Sequence, residues 1–349
     1  MQKKKPVVRL LRIIMPIVAI ICIVMFPPWE GIWAWITPLP DTVQEQLDDA
    51  IDSGLDGMIV YVDQANQPPA LYAAGWKDRA AQIPADPQAL FKIASISKLY
   101  IATAVAKLVN KQNLFLDDTL ADYLPELVGR IEYADQITLK MMVQHRSGIP
   151  NYVDEEEFDW GNPLMEISEN LALVLDEPAD FEPDTDYRYS NTNYLLIGSI
   201  LDKVLGYSHQ QYIKSEIIAP LGLTNTYGLL SDVNLEDVAS GYYTKYDGDL
   251  KTLDYVVPGG SMVATAQDVG VFLRALNDGA LLNDDEQAIY SAIYKYEHKG
   301  WVLGYHSIAR YYKDIDAVVI QFVNTTGGDM ELLSNVVYGR IVRILRREQ

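Results

Sequence analysis

The sequence predicts an α+β fold in which strands from both ends of the chain form one antiparallel sheet, with a helical region inserted between them. Two strand-like apolar runs near the beginning, GMIVYV and ALYAAGW, flank the turn-forming segment DQANQPP. Three more lie near the end: HKGWVLGY, SIARYY and AVVIQFVN. Between Asp117 and about Ser240 the pattern is mostly helical and loop-like. The two strand groups therefore have to meet in space to form one core.

Helices are expected beside these strands. Thr42 and Glu45 form a capping-box pattern that opens a helix ending before Gly54. Thr265 opens another helix, DVGVFLRALND, which ends at Gly279. The apolar-striped segment ELLSNVVYGRIVRIL predicts a last helix near the end of the chain.

The N-terminal segment differs from the rest of the chain. Five basic residues up to Arg12 precede the charge-free run IIMPIVAIICIVMFPPW. This pattern predicts a membrane anchor or signal segment over residues 1–37, with an uncleaved anchor favoured and the following domain outside the cytoplasm. Residues 38–349 are expected to form one domain, with a sheet lobe at about 42–115 and 241–349 and a helical lobe at about 116–240.

Composition excludes several classes of function. The 349 residues contain 28 Lys and Arg against 48 Asp and Glu, a net charge of −20, so a nucleic-acid partner is not expected. Cys22 is the only cysteine, which excludes an intrachain disulfide and leaves no thiol nucleophile in the predicted domain. The four histidines lack metal-ligand spacing, and no metal or cofactor is expected. The acidic run DEEEFD at 154–159 lacks the spacing of calcium loops and predicts a solvated loop.

A serine and a lysine lie three residues apart in FKIASISKLYIATAVAKLV. On a helix, Ser95 and Lys98 would share one face, which is the arrangement of a hydroxyl activated by an amine. One Ser-x-x-Lys is also expected by chance in a chain of this composition, so other segments have to decide between the two interpretations.

Two further motifs follow in order: YSN at 189–191, before an apolar helix, and HKG at 298–300, at the start of a strand-like run. With Ser95 and Lys98 they resemble the penicillin-recognising serine hydrolases, which comprise D-alanyl-D-alanine peptidases and serine β-lactamases. QHRSGIP, PLGLTNT and GGSMVATAQDVGVFLRAL are similar to segments of the class C β-lactamase and carboxypeptidase branch. The resemblance covers about residues 42–346 and implies a β-lactamase/transpeptidase-like fold.

The resemblance implies a role for each motif residue. Ser95 would be the acylated nucleophile, Lys98 would hold and help deprotonate it, and Tyr189 would shuttle the proton to the leaving group. That shuttle requires a strongly perturbed phenol pKa at neutral pH. The backbone N–H groups of Ser95 and Trp301 would form the oxyanion hole.

The substrate-binding residues implied by the resemblance are Asn191, His298, Lys299 and Gly300. Asn191 would donate its side-chain amide to the substrate. Where β-lactamases carry Lys-Thr-Gly, this chain has HKG at 298–300, which lacks the threonine hydroxyl and makes efficient β-lactamase activity unexpected. His298 would face inward and bind a substrate carboxylate only when protonated, so kcat/KM for such a substrate is expected to fall through the histidine titration.

These observations together predict a membrane-anchored acyl-serine hydrolase in the cell envelope. Its expected substrate is a small amide, namely a D-amino-acid peptide of cell-wall type. Two alternatives remain open at this point: an esterase of the same fold, and a non-catalytic protein that binds cell-wall fragments in the same cleft. The set Ser95, Lys98 and Tyr189 favours an enzyme over a pure binder.

Overall fold

The computed structural model describes residues 4–25 and 28–347 and confirms the α+β fold. Its α-helices are α1 Lys4–Met25, α2 Trp29–Ile36, α3 Val43–Asp52, α4 Ser97–Asn110, α5 Leu120–Tyr123, α6 Leu139–Val143, α7 Ile167–Ala172, α8 Thr192–Leu205, α9 His209–Ile213, α10 Ala266–Asp278, α11 Asp284–Ile293 and α12 Met330–Arg347. Its strands are β1 Gly57–Gln64, β2 Ala70–Asp78, β3 Ile83–Pro84, β4 Phe91–Lys92, β5 Thr226–Tyr227, β6 Tyr242–Tyr243, β7 Val263–Ala264, β8 His298–Val302, β9 Tyr305–Tyr312, β10 Ala317–Val323 and β11 Thr325–Thr326.

The main sheet joins the two ends of the chain, as predicted. Its six strands lie in the order β3-β2-β1-β10-β9-β8, and neighbouring strands are antiparallel. The junction is the β1–β10 pair, in which Met58 lies opposite Val323 and Tyr61 opposite Ile320. Strand β8 ends the sheet, so one of its edges is free to border a cleft.

Helices cover both faces of this sheet. On one face α3 and α12 pack together against β2 and β10, and their apolar residues share a buried cluster that includes Leu47, Val60 and Val337. On the other face α10 packs on β1, β9 and β10, within the larger core cluster that also holds α4 and α8. The division into a sheet lobe and a helical lobe at the stated boundaries stays a prediction.

The helix boundaries follow the predicted caps. Thr42 and Glu45 form the reciprocal capping box of α3. The Thr265 side chain accepts a hydrogen bond from the backbone N–H of Asp268, and Gly279 ends α10 in the left-handed region at φ +83°. The β8–β9 turn lies at residues 303–304 rather than after Tyr305, because Gly304 supplies the left-handed residue of a two-residue hairpin.

The predicted membrane anchor is not supported by the structure. Within residues 4–25 and 28–347, no helix is long and apolar enough to cross a membrane. Four basic residues lie inside α1, and its charge-free part, residues 13–25, rises only about 20 Å against a hydrocarbon core of about 30 Å. Of the rest of the charge-free run, Phe26 and Pro27 lie outside the described residues, whereas Trp29 begins the separate helix α2.

A buried arginine ties the segment before α3 to the last helix. Arg340 of α12 is 2% exposed, and its guanidinium donates to the backbone oxygens of Ala34, Thr37 and Pro38. Its Nε donates to Oε1 of Gln46 in α3. One side chain therefore supplies the hydrogen bonds of three backbone carbonyl groups, those of Ala34, Thr37 and Pro38.

Replacing Arg340 with methionine is expected to lower the free energy of unfolding by about 3 kcal/mol, because buried carbonyls left without donors cost about 1–3 kcal/mol each. Urea denaturation of the whole chain measures this change. The matched control is Arg343→Met, since Arg343 is an exposed arginine on the same helix. Equal losses in the two variants would contradict the role of Arg340.

Candidate active site

Ser95 lies in a single turn of 3-10 helix, Ala94–Ile96, that leads directly into α4. Ala94 is held in the left-handed region at φ +48°, an uncommon conformation for a residue with a side chain. This turn packs against the start of β8. The packing is close: a Cβ added to Gly300 would lie 2.2 Å from the backbone oxygen of Ile93, so only glycine fits there.

The side chains of Ser95, Lys98 and Tyr189 meet, as the sequence predicted they would have to for catalysis. Lys98 Nζ donates to Ser95 Oγ at 3.0 Å. Tyr189 Oη donates to the same Oγ at 2.9 Å. The serine oxygen is thus placed between an amine from the first turn of α4 and a phenol from the loop before α8.

Lys98 is the group best suited to take a proton from Ser95. The side chain is 1% exposed, and burial, assisted by the positive charge of Lys295, lowers the pKa of Lys98 to about 7. Its other two hydrogen bonds go to Asn191 Oδ1 at 2.8 Å and to the backbone oxygen of Gly259 at 2.9 Å. Because both of these oxygens can only accept, the lone pair of the neutral amine is left to face Ser95 Oγ.

Tyr189 behaves differently from the sequence-based expectation. Burial raises the pKa of Tyr189 above its usual range, so the phenol keeps its proton at neutral pH. Its ring packs 4.4 Å from that of His145, whose Nδ1 accepts a hydrogen bond from the backbone N–H of Ser190. Tyr189 thus keeps a proton that it can donate, and Lys98 is the group in contact with Ser95 whose pKa is shifted toward neutrality.

Asn191 is oriented by a neighbour that the sequence analysis did not single out. Its carbonyl oxygen accepts from Lys98, and its Nδ2 donates to Oδ1 of Asn151 at 3.2 Å. The same Oδ1 also accepts from the backbone N–H of Asn191 at 2.8 Å. Asn151 is 6% exposed and lines the cleft, so it fixes the amide that holds Lys98.

His298 faces inward from β8, as predicted, but it is not a charged group. Burial holds the pKa of His298 well below its ordinary value, and the nearby charges of Lys295 and Lys98 lower it further. Its Nδ1 lies 2.5 Å from the backbone oxygen of Lys299, which can only accept, so Nδ1 carries the proton. Nε2 is buried without a hydrogen-bond partner among the described residues. Burial thus lowers the pH range in which His298 can carry a charge, and the expected fall of kcat/KM through its titration stays a prediction.

The remaining residues of β8 alternate between the two sides of the strand. Lys299 is exposed and its Nζ donates to Oδ1 of Asn335. Trp301 is half-buried, and its indole N–H donates to Oε1 of Glu331 at 2.8 Å. Gly300 lies where β8 approaches the Ser95 turn, and the role of the following Trp301 N–H as second oxyanion donor stays a prediction.

These groups border one cleft of about 500 Å³. The cleft is lined by Ser95 and its hydrogen-bond partner Tyr189, by a group of aromatic side chains and by a group of basic side chains. The aromatic residues are Tyr152, Phe158, Trp160, Tyr255 and Trp301, and the basic ones are Lys295, Lys299 and Arg310. Arg310 is neutralised by Glu297, which lines the same cleft.

Such a fold, with a serine, a lysine and a tyrosine at a cleft beside an edge strand, defines a class of serine hydrolases. The family model described as Beta-lactamase matches residues 39–292. The chain belongs to the beta-lactamase family, which confirms the resemblance seen in its motifs.

Both curated proteins and solved structures are similar to this chain. Penicillin-binding protein 4* of Bacillus subtilis (strain 168) is 28% identical over 193 residues, which are 54% of this chain and 41% of that protein. The D-amino acid amidase from Ochrobactrum anthropi SV3 has a TM-score of 0.78 at 23% identity, over 88% of this chain and 98% of that one. A class C beta lactamase from Rhodobacter sphaeroides has a TM-score of 0.69 at 21% identity, over 88% and 99%.

The sequence identity of these structural neighbours lies below 25%, so they establish the fold of this chain and nothing beyond it. The chain spans less than two thirds of the length of the curated relatives it matches. Substrate and activity therefore have to be argued from the cleft itself.

Proposed function

We propose that this protein is an acyl-serine hydrolase of the cell envelope that cleaves a small amide whose acyl part is a D-amino acid or a D-peptide. One observation carries the proposal: Ser95 Oγ lies within 3.0 Å of both a buried lysine and a buried tyrosine. A protein that only binds wall fragments gains nothing from burying an amine at this position, because desolvation of that amine costs free energy.

Acylation follows from these contacts. Neutral Lys98 accepts the hydroxyl proton while Oγ of Ser95 attacks the substrate carbonyl carbon, and the carbonyl oxygen becomes an oxyanion held by the N–H groups of Ser95 and Trp301. The bond to the leaving nitrogen then breaks as the phenol of Tyr189 gives that nitrogen its proton. Lys98 then returns its proton to the Tyr189 phenolate, and both groups regain their starting states.

Water completes the cycle by the reverse route. A water molecule takes the position of the departed amine, beside Tyr189, and attacks the ester carbon; Tyr189 accepts the water proton while its own phenol proton passes to neutral Lys98. Ser95 Oγ leaves with a proton from Lys98. Asn191 and Asn151 keep the Lys98 side chain in place through both halves of the reaction, so they act as positioning residues.

The character of the cleft supports a neutral amide as the scissile group. A buried neutral His298 cannot supply the positive charge that a carboxylate requires, and its ring instead lies behind Tyr189, at 6.3 Å between ring centroids. The position taken by threonine in β-lactamases is Lys299, which is exposed. Both features favour an amidase or peptidase over a β-lactamase. The neighbour named D-amino acid amidase supports a D-configured acyl part of the substrate, and the relative named penicillin-binding protein 4* supports a protein that reacts with penicillin-like amides.

Intact-mass spectrometry tests the proposal. The chain is incubated with D-amino-acid amides, short D-peptides, the matching L-compounds, simple esters and β-lactams. We expect an acyl adduct from the D-amides or D-peptides that disappears on hydrolysis, and no adduct on Ser95→Ala. Acylation by esters alone would favour the esterase, and binding of D-peptides without any adduct would favour the non-catalytic alternative.

A further inference from the structure

One side of the cleft is formed by five aromatic side chains, each of which contacts at least one other member of the set. We call this set the aromatic wall: Tyr152, Phe158, Trp160, Tyr255 and Trp301. Ring centroids are 5.3 Å apart for Tyr152 and Phe158, 5.0 Å for Phe158 and Trp160, and 5.0 Å for Trp160 and Trp301. The wall includes the two aromatic residues at the end of the acidic run DEEEFDW, which composition alone predicted to be a solvated loop.

The wall is held in a fixed shape. Two of its members, Tyr152 and Tyr255, are buried, at 3% and 7% exposure. The phenol of Tyr255 donates to the backbone oxygen of Trp160 at 2.9 Å, and the indole of Trp301 donates to Glu331. Phe158, Trp160 and Trp301 are only half-buried, so apolar surface remains uncovered on the side of the cleft. A rigid, partly uncovered aromatic surface is what an apolar ligand group buries most favourably.

The position of the wall relative to Ser95 shows which part of a substrate reaches it. The leaving group must lie beside Tyr189, on the side where His145, Tyr187 and Lys295 line a separate depression. The acyl carbon is bonded to Ser95 Oγ, and its oxygen points to the N–H groups of Ser95 and Trp301. Ser95 and all five residues of the wall line the same cleft, so the remaining substituent of the acyl carbon has the wall available to pack against.

We propose that the aromatic wall binds the side chain of the substrate's acyl residue and selects a large apolar one, preferably aromatic; this inference rests on the function proposed above. The T-shaped contacts leave no gap between neighbouring rings in which a cation could be enclosed. The set is therefore a wall for a neutral ring rather than a cage for an ammonium group.

The test uses D-amino-acid p-nitroanilides, which share one leaving group and differ only in the acyl side chain. For the wild type we expect kcat/KM for the D-Phe compound to exceed that for the D-Ala compound about 30-fold, the effect of burying an aromatic ring. Trp160→Ala should reduce this ratio to about 3-fold. Trp160→Phe should keep most of it, and Trp76→Ala, at an exposed tryptophan of β2, should leave the ratio unchanged.

Rates are expressed per active site, titrated with a fluorophosphonate, so that a variant that folds poorly does not imitate a change in selectivity. An unchanged D-Phe to D-Ala ratio in Trp160→Ala would overturn the inference. A wild-type preference for the D-Ala or the D-Lys compound would overturn it as well. A preference for D-Lys would indicate that the acidic side chains of 154–159, rather than the wall, select the substrate side chain.

A second pair of substrates separates this inference from the proposed function. If the p-nitroanilides are cleaved without a side-chain preference, the wall inference fails and the amidase stands. If no amide is cleaved, but p-nitrophenyl phenylacetate is preferred to p-nitrophenyl acetate and Trp160→Ala removes that preference, the amidase fails and the wall inference stands.

Discussion

Ser95→Ala is expected to abolish acyl-enzyme formation and to lower kcat/KM by at least about 10³-fold, because no other hydroxyl lies between the amine and the phenol. The measurement is covalent labelling by a fluorophosphonate together with hydrolysis of a D-amino-acid p-nitroanilide. Both Lys98 and Tyr189 keep their places in this variant, since Lys98 retains its bonds to Asn191 and Gly259.

Ser97→Ala is the matched control for this loss. The hydroxyl of Ser97 is buried away from the cleft, donates to the backbone oxygen of Ala94 at 2.6 Å and accepts from the N–H of Met262. We expect Ser97→Ala to be labelled like the wild type, at a cost of about 1–2 kcal/mol in the free energy of unfolding. Labelling that persists in Ser95→Ala would remove Ser95 as the nucleophile.

Lys98→Met is expected to lower kcat/KM by about 10²- to 10⁴-fold, the usual contribution of a positioned general base. The wild type should also show a rising limb with pH. Only the neutral amine accepts a proton, and the pKa of Lys98 is lowered to about 7, so activity toward an uncharged substrate is low at pH 5 and increases through pH 7. The variant should lose this limb together with its activity.

Profiles of kcat/KM between pH 5 and 9 on a neutral substrate measure both effects. Lys111→Met is the control, because Lys111 lies at the end of the same helix, is exposed and pairs with Glu216. Its profile should match that of the wild type. A wild-type rate that is flat between pH 6 and 8, or a limb that survives in Lys98→Met, would assign the base to another group.

The local sequence was sufficient to predict contacts between residues that are close in the chain. Ser95 and Lys98 are three residues apart at the start of a helix, so their contact follows from helix geometry. Tyr189 was identified through its motif. Asn151 and Gly259 were missed because their contacts, to Asn191 and Lys98, join residues that lie 40 and 161 positions apart in the chain.

Burial explains the other differences between expectation and structure. The sequence identifies His298 as a histidine on an inward strand position, but its pKa depends on how completely the folded chain removes it from water. The pKa of the Tyr189 phenol depends on burial in the same way. In the acidic run at 154–159, charge dominates the composition, yet Phe158 and the following Trp160 fold back onto the cleft and leave the carboxylates to solvent.

The pairing of β1 with β10 determines when during synthesis the domain can fold. With Met58 opposite Val323, β1 emerges from the ribosome long before its partner; at about 5–20 residues per second, roughly 260 intervening residues take about 13–50 s. During that interval β1 has only β2 beside it, and its other edge is open to pairing with another chain. A polypeptide that stops before Ala317 keeps this edge open and also lacks α12, so it is expected to aggregate or be degraded instead of persisting as a weakened enzyme.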